Sequence, residues 1–139
     1  MDLTSKEEII NFLKSEQSIT LFKKQNINSV MLFGSIVTQD FEEYSDVDIA
    51  ILSKTKIALV DIMDLEETIS SMINREVDIV NLNDDEMDLR FKVSVYDNGM
   101  LIYNDELDLY NKEYNKTDII YKNNEEFRFF RERDVIGYE

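Results

Sequence analysis

The residues best suited to chemistry are two aspartates, Asp46 and Asp48, which interrupt a stretch that ends in the apolar run IAIL. A glycine and a serine, Gly34 and Ser35, close an earlier apolar segment, and ten residues separate them from Asp46. Side chains two positions apart on a β-strand project from the same face, so both carboxylates would point the same way. Paired carboxylates that share divalent cations are typical of nucleotidyl transfer, and a Gly-Ser turn can hold phosphate. The stretch therefore predicts a metal-dependent nucleotide site.

A third aspartate, Asp78, lies in the apolar run VDIVNL, where an unpaired carboxylate would be costly. A neighbouring strand could bring it beside Asp46 and Asp48, either as a metal ligand or as the acceptor of a proton from an incoming hydroxyl. Three adjacent carboxylates repel one another unless cations neutralise them, which favours a metal. The alternative is structural, because solvated aspartates at strand edges and Gly-Ser turns are both common.

The composition restricts the chemistry. The chain has no histidine and no cysteine, so a metal must be bound by oxygen, which favours Mg²⁺, Mn²⁺ or Ca²⁺ over zinc. Thirty acidic residues against 15 basic ones give a net charge of −15, which disfavours direct binding to nucleic acid. No apolar run approaches the ~20 residues that cross a bilayer, and the start does not resemble a signal peptide. We therefore expect a cytoplasmic protein with no membrane partner.

The elements that must position these residues alternate between helices and strands. Short apolar runs predict four strands, at 27–33, 46–52, 77–82 and 100–104. A capping-box pattern at Thr4 and Ser5 predicts a first helix, followed by a second helix or turn, and apolar spacing predicts a helix over 57–75. Residues 87–96 alternate in polarity, which favours a strand when taken alone, although a helix face is also possible.

The pattern of motifs resembles the minimal nucleotidyltransferases of the polymerase-beta-like superfamily, over about residues 27–104. It consists of Gly34-Ser35, the sequence SDVD at 45–48, in which ten residues separate Ser35 from Asp46, and Asp78 in a downstream strand. The resemblance implies an α/β (α+β) nucleotidyltransferase fold, a small mixed β-sheet flanked by helices, and it makes 87–96 a helix. We accordingly expect a nucleotidyltransferase domain at 1–104 and a C-terminal helical extension at 105–139.

The resemblance also implies an activity. Members of this family transfer a nucleoside monophosphate, usually from ATP, to a hydroxyl group with the help of Mg²⁺ and release pyrophosphate. By this match Gly34 and Ser35 would bind the triphosphate, and Asp46 and Asp48 would bind the metal ions, two Mg²⁺ or Mn²⁺. Asp78 would complete the catalytic and metal-binding triad.

One position departs from the family pattern. Many relatives place arginines and a glycine directly after the Gly-Ser pair, whereas this chain has IVTQ at 36–39. Cationic support for the phosphates is therefore missing there. Lys54, Lys56 or a residue of a partner could replace it.

The acceptor is expected to come from another chain, because the segment 105–139 is too short for an acceptor-binding domain. Short stand-alone relatives are typically the antitoxins of HEPN/MNT toxin–antitoxin pairs. The resemblance implies that such an antitoxin transfers AMP to a tyrosine of a HEPN ribonuclease toxin and so neutralises it. An acidic surface would complement a basic RNA-binding partner.

Aromatic and basic residues of the extension are of types enriched at interfaces, although they could equally cover the domain's own sheet. They are Tyr121, Phe127, Arg128, Phe129, Phe130 and Arg131. Two other functions remain open: a catalytically weak antitoxin that acts by binding alone, and a small-molecule nucleotidyltransferase that forms its acceptor pocket by oligomerising.

Overall fold

The computed structural model describes the backbone of residues 5–136 and the side chains of residues 5–124. The helices are α1 (Lys6–Leu13), α2 (Glu16–Lys24), α3 (Leu59–Ile73), α4 (Leu89–Asn98) and α5 (Leu109–Ile136). The strands are β1 (Ser29–Phe33), β2 (Val47–Leu52), β3 (Val77–Asn81) and β4 (Met100–Asn104). A 3₁₀ turn, Gly34–Val37, follows β1 directly.

Serine caps begin the first two helices. The Ser5 hydroxyl accepts from the Glu8 backbone N–H at 3.3 Å and donates to the Glu8 carboxylate at 3.0 Å. Ser15 caps α2 by accepting from the Ser18 N–H. The cap predicted at Ser5 is confirmed, because a serine oxygen satisfies an N–H that the first turn of a helix leaves unpaired. Thr4 lies outside the described residues.

The four strands form one mixed sheet in the order β3-β2-β1-β4. β1 pairs antiparallel with β2 and β4, whereas β2 pairs parallel with β3. The predicted small mixed sheet flanked by helices is therefore confirmed. β1 and β2 lie in the centre and are covered on both faces, which explains why their sequences, SVMLF and VDIAIL, are almost continuously apolar.

Each face of the sheet has its own hydrophobic core. The first core joins α1, α2 and α3 to one face of the sheet and contains fully buried Phe22, Leu32, Ile49 and Ile69. The second core joins α4 and the start of α5 to the other face and contains Met31, Ala50, Val95 and Tyr96. Because successive strand residues alternate between faces, Asp48 lies on the same face as Ala50, toward α4.

The segment whose local alternation favoured a strand is helical, as the family resemblance implied. Asp88 caps the start of α4, because its side chain accepts from the Arg90 N–H at 3.0 Å. Val95 and Tyr96 are buried against the sheet, and the Phe91 ring meets the Phe33 ring edge-on at 5.4 Å. The interpretation from alternation alone was wrong, because packing on the second core, rather than local pattern, decides this segment.

The start of α5 packs against α4 at the edge of the second core. Tyr110 and Tyr114 contact Tyr96, with ring centroids 5.8 and 4.9 Å from it. Further along, Ile119 and Ile120 are 60% and 42% exposed. Side chains 125–136, which include most of the predicted interface residues of the extension, lie outside the described residues. Within the part of the chain that is described, no helix has both the length and the apolar character needed to cross a membrane.

Gly99 joins α4 to β4 where two backbone segments meet. A Cβ atom at this position would overlap the Val95 carbonyl oxygen and lie 2.9 Å from the Leu32 carbonyl oxygen. Neither backbone can withdraw easily, so we expect Gly99→Ala to lower the free energy of unfolding by about 1–3 kcal/mol. Urea denaturation should show this lower free energy of unfolding. Ser94→Ala, on the exposed side of α4, should leave stability within about 0.5 kcal/mol, and an unchanged Gly99→Ala variant would contradict the packing described here.

Candidate active site

The Gly34–Ser35 turn lies directly against Asp48. Gly34 has φ +78°, a left-handed conformation that favours glycine. A Cβ atom there would overlap the Asp48 Oδ2 atom and lie 3.2 Å from its Cγ. The sequence predicted that this glycine admits a ligand. The structure adds a second requirement, because the missing side chain also leaves room for a carboxylate of the protein itself.

The two residues that follow the Gly-Ser pair are anchored in the core. Ile36 is fully buried in the first core, and Val37 packs against it. Thr38 then closes the turn, because its N–H and hydroxyl both donate to the Ser35 carbonyl, at 2.9 and 2.8 Å. Apolar side chains therefore hold this turn in place, which gives the departure from the family pattern a structural reason.

Asp48 and Asp78 face each other across two neighbouring strands. They are direct partners in the parallel register of β2 and β3, and Asp48 is also opposite Phe33 at the end of β1. Neighbouring strands are about 4.8 Å apart, and directly paired residues project from the same face. β3 is an edge strand whose Ile79 N–H donates to the Glu66 carboxylate at 2.8 Å. The sequence expectation that adjacent strands bring these two aspartates together is thus met in the structure.

Asp46 lies one residue before β2 and is exposed. The pKa of Asp48 is raised from its ordinary value, first by burial and then by the negative charges of Asp78 and Asp46. The three carboxylates are therefore close enough to interact electrostatically. As their side chains stand, no three acidic groups within residues 5–124 enclose a single point as a ready-made metal site.

The raised pKa of Asp48 makes stability depend on pH. A carboxyl group whose pKa is higher in the folded state stabilises the fold below its unfolded pKa of about 3.9, and that contribution is lost as the pH rises through the folded value. We expect Asp48→Asn to raise the melting temperature at pH 7 in EDTA by roughly 1–3 °C, after allowance for solvent screening. The gain should vanish below about pH 4, as thermal melts across this range would show. Asp64→Asn, at an exposed position of α3, should produce no comparable pH-dependent gain, and a destabilised Asp48→Asn variant would contradict the predicted repulsion.

Sequence reasoning did not single out Arg75, which is 7% exposed and lies between α3 and β3. Its guanidinium donates to the carbonyls of Glu42 and Ser45 and lies 4.4 Å over the Phe41 ring. Burial lowers the pKa of Arg75, and the charges of Asp46 and Glu43 oppose that shift. An arginine two residues before an apolar strand was the signal available in the sequence.

Lys54 and Lys56 lie far from this turn. The Lys54 backbone N–H donates to the Asn28 side chain at 2.8 Å, beside the start of β1, whereas Gly34 follows its end. Five residues of strand separate the two ends by roughly 15–17 Å. The suggestion that one of these lysines supports the phosphates was therefore wrong. The two lysines follow the end of β2, which runs antiparallel to β1, and they therefore lie at the opposite end of β2 from Asp48.

One family model and one curated protein match the sequence of this chain. The family model described as "Polymerase beta, Nucleotidyltransferase" matches residues 7–108, which include all four strands and the five predicted site residues. A protein of Methanocaldococcus jannaschii with the name "Putative protein adenylyltransferase" is 32% identical over 76 residues. Those residues make up 55% of this chain and 76% of the archaeal protein.

Solved structures share the fold. A chain in a crystal structure of a toxin–antitoxin with AMP-PNP has a TM-score of 0.68 and 22% identity, and the match covers 85% of this chain and 94% of that one. A chain in a structure of the tri-AMPylated Shewanella oneidensis HEPN toxin in complex with MNT antitoxin has a TM-score of 0.65 and 22% identity, with coverage of 95% and 99%. At this level of identity, the structural likeness demonstrates a shared fold.

Proposed function

Since the chain belongs to the polymerase beta nucleotidyltransferase family, we propose that it is a Mg²⁺-dependent antitoxin that transfers AMP from ATP to a partner protein. The acceptor is a tyrosine hydroxyl of a HEPN ribonuclease toxin, which is neutralised by the modification. The observation that carries this proposal is the pairing of Asp48 with Asp78 across adjacent strands, directly beside the Gly34–Ser35 turn.

The proposed metal ligands are Asp46, Asp48 and Asp78. Their donor atoms are all carboxylate oxygens, which suit Mg²⁺ or Mn²⁺. The fit is supported by the raised pKa of Asp48, because two further negative charges beside a half-buried carboxylate favour a cation. Asp46 is exposed, so its side chain can rotate toward the pair when an ion binds. Bound Mg²⁺ would neutralise charge that develops on the phosphates during transfer.

The remaining roles follow from position. Gly34 and Ser35 would hold the triphosphate through backbone N–H groups and the Ser35 hydroxyl. The tyrosine oxygen would attack the α-phosphorus of ATP, the bond to the β-phosphate oxygen would break, and pyrophosphate would leave. Asp78 is exposed at the edge of the sheet, where it can meet an incoming acceptor. It could accept the phenolic proton in addition to its role as a ligand.

Four observations support a protein as acceptor. The similar archaeal protein is named as a protein adenylyltransferase, and fold-level relatives come from toxin–antitoxin complexes, one with a tri-AMPylated HEPN toxin. The net charge of −15 suits a basic RNA-binding partner. In α5, the exposed Ile119 and Ile120 offer apolar contact area beyond the tyrosines that pack on the domain. The division into a domain at 1–104 and a partner-binding extension at 105–139 remains part of this proposal.

A second function is favoured by one feature of the turn. Ile36 and Val37 fill positions where many relatives carry arginines, and both side chains belong to the core rather than to the site. A chain without cationic support for the phosphates at these two positions could neutralise its toxin by binding alone. This alternative predicts a stable complex without modification of the toxin.

The test is the intact mass of a HEPN-type toxin offered as the partner, after incubation of the two purified proteins with ATP and Mg²⁺. We expect a gain of one or more AMP units on a tyrosine, and no gain when EDTA is present. A stable complex without a change in mass would favour neutralisation by binding. If neither a complex nor a modification forms, the antitoxin proposal is wrong, and small-molecule acceptors should be tried.

A further inference from the structure

In the loop between the 3₁₀ turn and β2, residues Glu42 to Ser45 form a turn. Two hydrogen bonds between its first and last residues close this turn. The Glu42 N–H donates to the Ser45 hydroxyl at 2.9 Å, and the Ser45 N–H donates to the Glu42 carbonyl at 3.1 Å. Asp46 follows this turn directly. The backbone of Glu42–Ser45 therefore determines the position of the Asp46 backbone, from which the carboxylate side chain extends.

Arg75 binds this turn at both ends. Its Nη2 atom donates to the carbonyls of Glu42 and Ser45, at 2.7 and 2.6 Å, and the guanidinium plane lies over the Phe41 ring. The backbone of Arg75 is fixed in turn, because its carbonyl accepts from the Ser70 hydroxyl at 2.6 Å. Arg75 is only 7% exposed. A charge-assisted pair of hydrogen bonds from such a buried side chain is a rigid support.

The same arginine is three residues before Asp78 in the chain. One side chain thus links the segment that carries Asp46 to the segment that carries Asp78. A backbone bond from the Val47 N–H to the Glu76 carbonyl, at 2.8 Å, lies next to this link. The relative placement of two proposed metal ligands, Asp46 and Asp78, therefore depends on a residue that lies in neither β2 nor β3.

We propose that Arg75 is a positioning residue, which holds the Glu42–Ser45 turn and so sets Asp46 against Asp48 and Asp78 for metal binding. This inference rests on the proposed function for its consequence, although the positioning itself can be measured without substrate. Lysine should not replace it, because an ammonium group keeps the charge but lacks the planar fork that stacks on Phe41 and reaches both carbonyls.

The first measurement is amide hydrogen exchange of the metal-free protein. In Arg75→Lys, we expect the Glu42 and Ser45 amides to exchange about 10-fold faster or more, while the amides of β1 and β2 stay protected. Phe41→Leu should shift the same amides in the same direction. Phe12→Leu removes an equally half-buried ring from α1 and should leave them unchanged. Unaltered exchange in Arg75→Lys would overturn the positioning role, whatever the protein's activity.

The second measurement is the binding of Mn²⁺ to the ATP-bound protein, by calorimetry. Loss of a residue that orients metal ligands costs about 10–100-fold in affinity, and we expect a loss in that range for both Arg75→Lys and Arg75→Met. If Arg75→Lys keeps full Mn²⁺ affinity and Arg75→Met loses it, the positive charge alone suffices for metal binding. That result would overturn the proposal that the planar guanidinium is required. If the wild-type protein itself binds no Mn²⁺ with ATP, the proposed function fails, while the exchange result still decides the role of Arg75.

Discussion

Asp48→Asn is expected to abolish the proposed AMP transfer to a partner toxin, while the complex of the two proteins still forms. Asp48 lies between Asp78 on the neighbouring strand and Asp46, which is one residue before the start of β2, so its carboxylate is central to the proposed metal site. Changes that only reorient metal ligands cost about 10–100-fold. Loss of a ligand should therefore lower the rate by more than about 100-fold.

The measurement is the initial rate of toxin modification by intact mass, combined with size-exclusion chromatography of the complex. Asp64→Asn is the matched control, because it makes the same change at an exposed position of α3. It should retain the wild-type rate. Neutralisation of the toxin in cells gives a third readout. If Asp48→Asn still neutralises fully, binding alone is the function, and the catalytic proposal is wrong.

Gly34→Ala is expected to inactivate the enzyme by moving Asp48, although the fold survives. The new Cβ would overlap the Asp48 Oδ2 atom, which is the free end of a side chain that can rotate away. The stability cost should therefore come mainly from a non-glycine residue at φ +78°, about 1–2 kcal/mol. The displaced carboxylate, in contrast, would leave its place in the proposed metal site. A misplacement of about 1 Å can lower a rate about 100-fold.

The control for Gly34→Ala separates strain from displacement. Asn26 also has a positive φ, of 62°, but lies before β1 at the other end of that strand from Gly34. Asn26→Ala should lose stability in urea denaturation and keep its rate of AMP transfer. Mn²⁺ affinity should fall in Gly34→Ala and not in Asn26→Ala. Equal Mn²⁺ affinity in Gly34→Ala and the wild type would show that this glycine does not act through Asp48.

Several elements could be predicted from local sequence because local physics decides them. The Ser5 cap follows from a serine oxygen and a nearby N–H, and the four strands follow from apolar runs bounded by polar residues. The segment at 87–96 could not be predicted in this way. Its alternation fits a strand, yet Val95 and Tyr96 pack as one helix face on the second core. The local sequence left a helix face open as the alternative, and the family resemblance decided in its favour.

The chain by itself determined the chemical types available at the site. It has carboxylates without histidine or cysteine, and a glycine at the end of an apolar strand, so oxygen ligands for a divalent cation follow from composition and spacing. The tertiary structure decided which groups meet. Parallel pairing placed Asp78 opposite Asp48, Arg75 came to hold a loop 30 residues earlier in the chain, and Lys54 was carried to the far end of the sheet. These outcomes depend on strand order and register. Such properties arise from packing between segments distant in the chain, and local patterns of residues do not encode them.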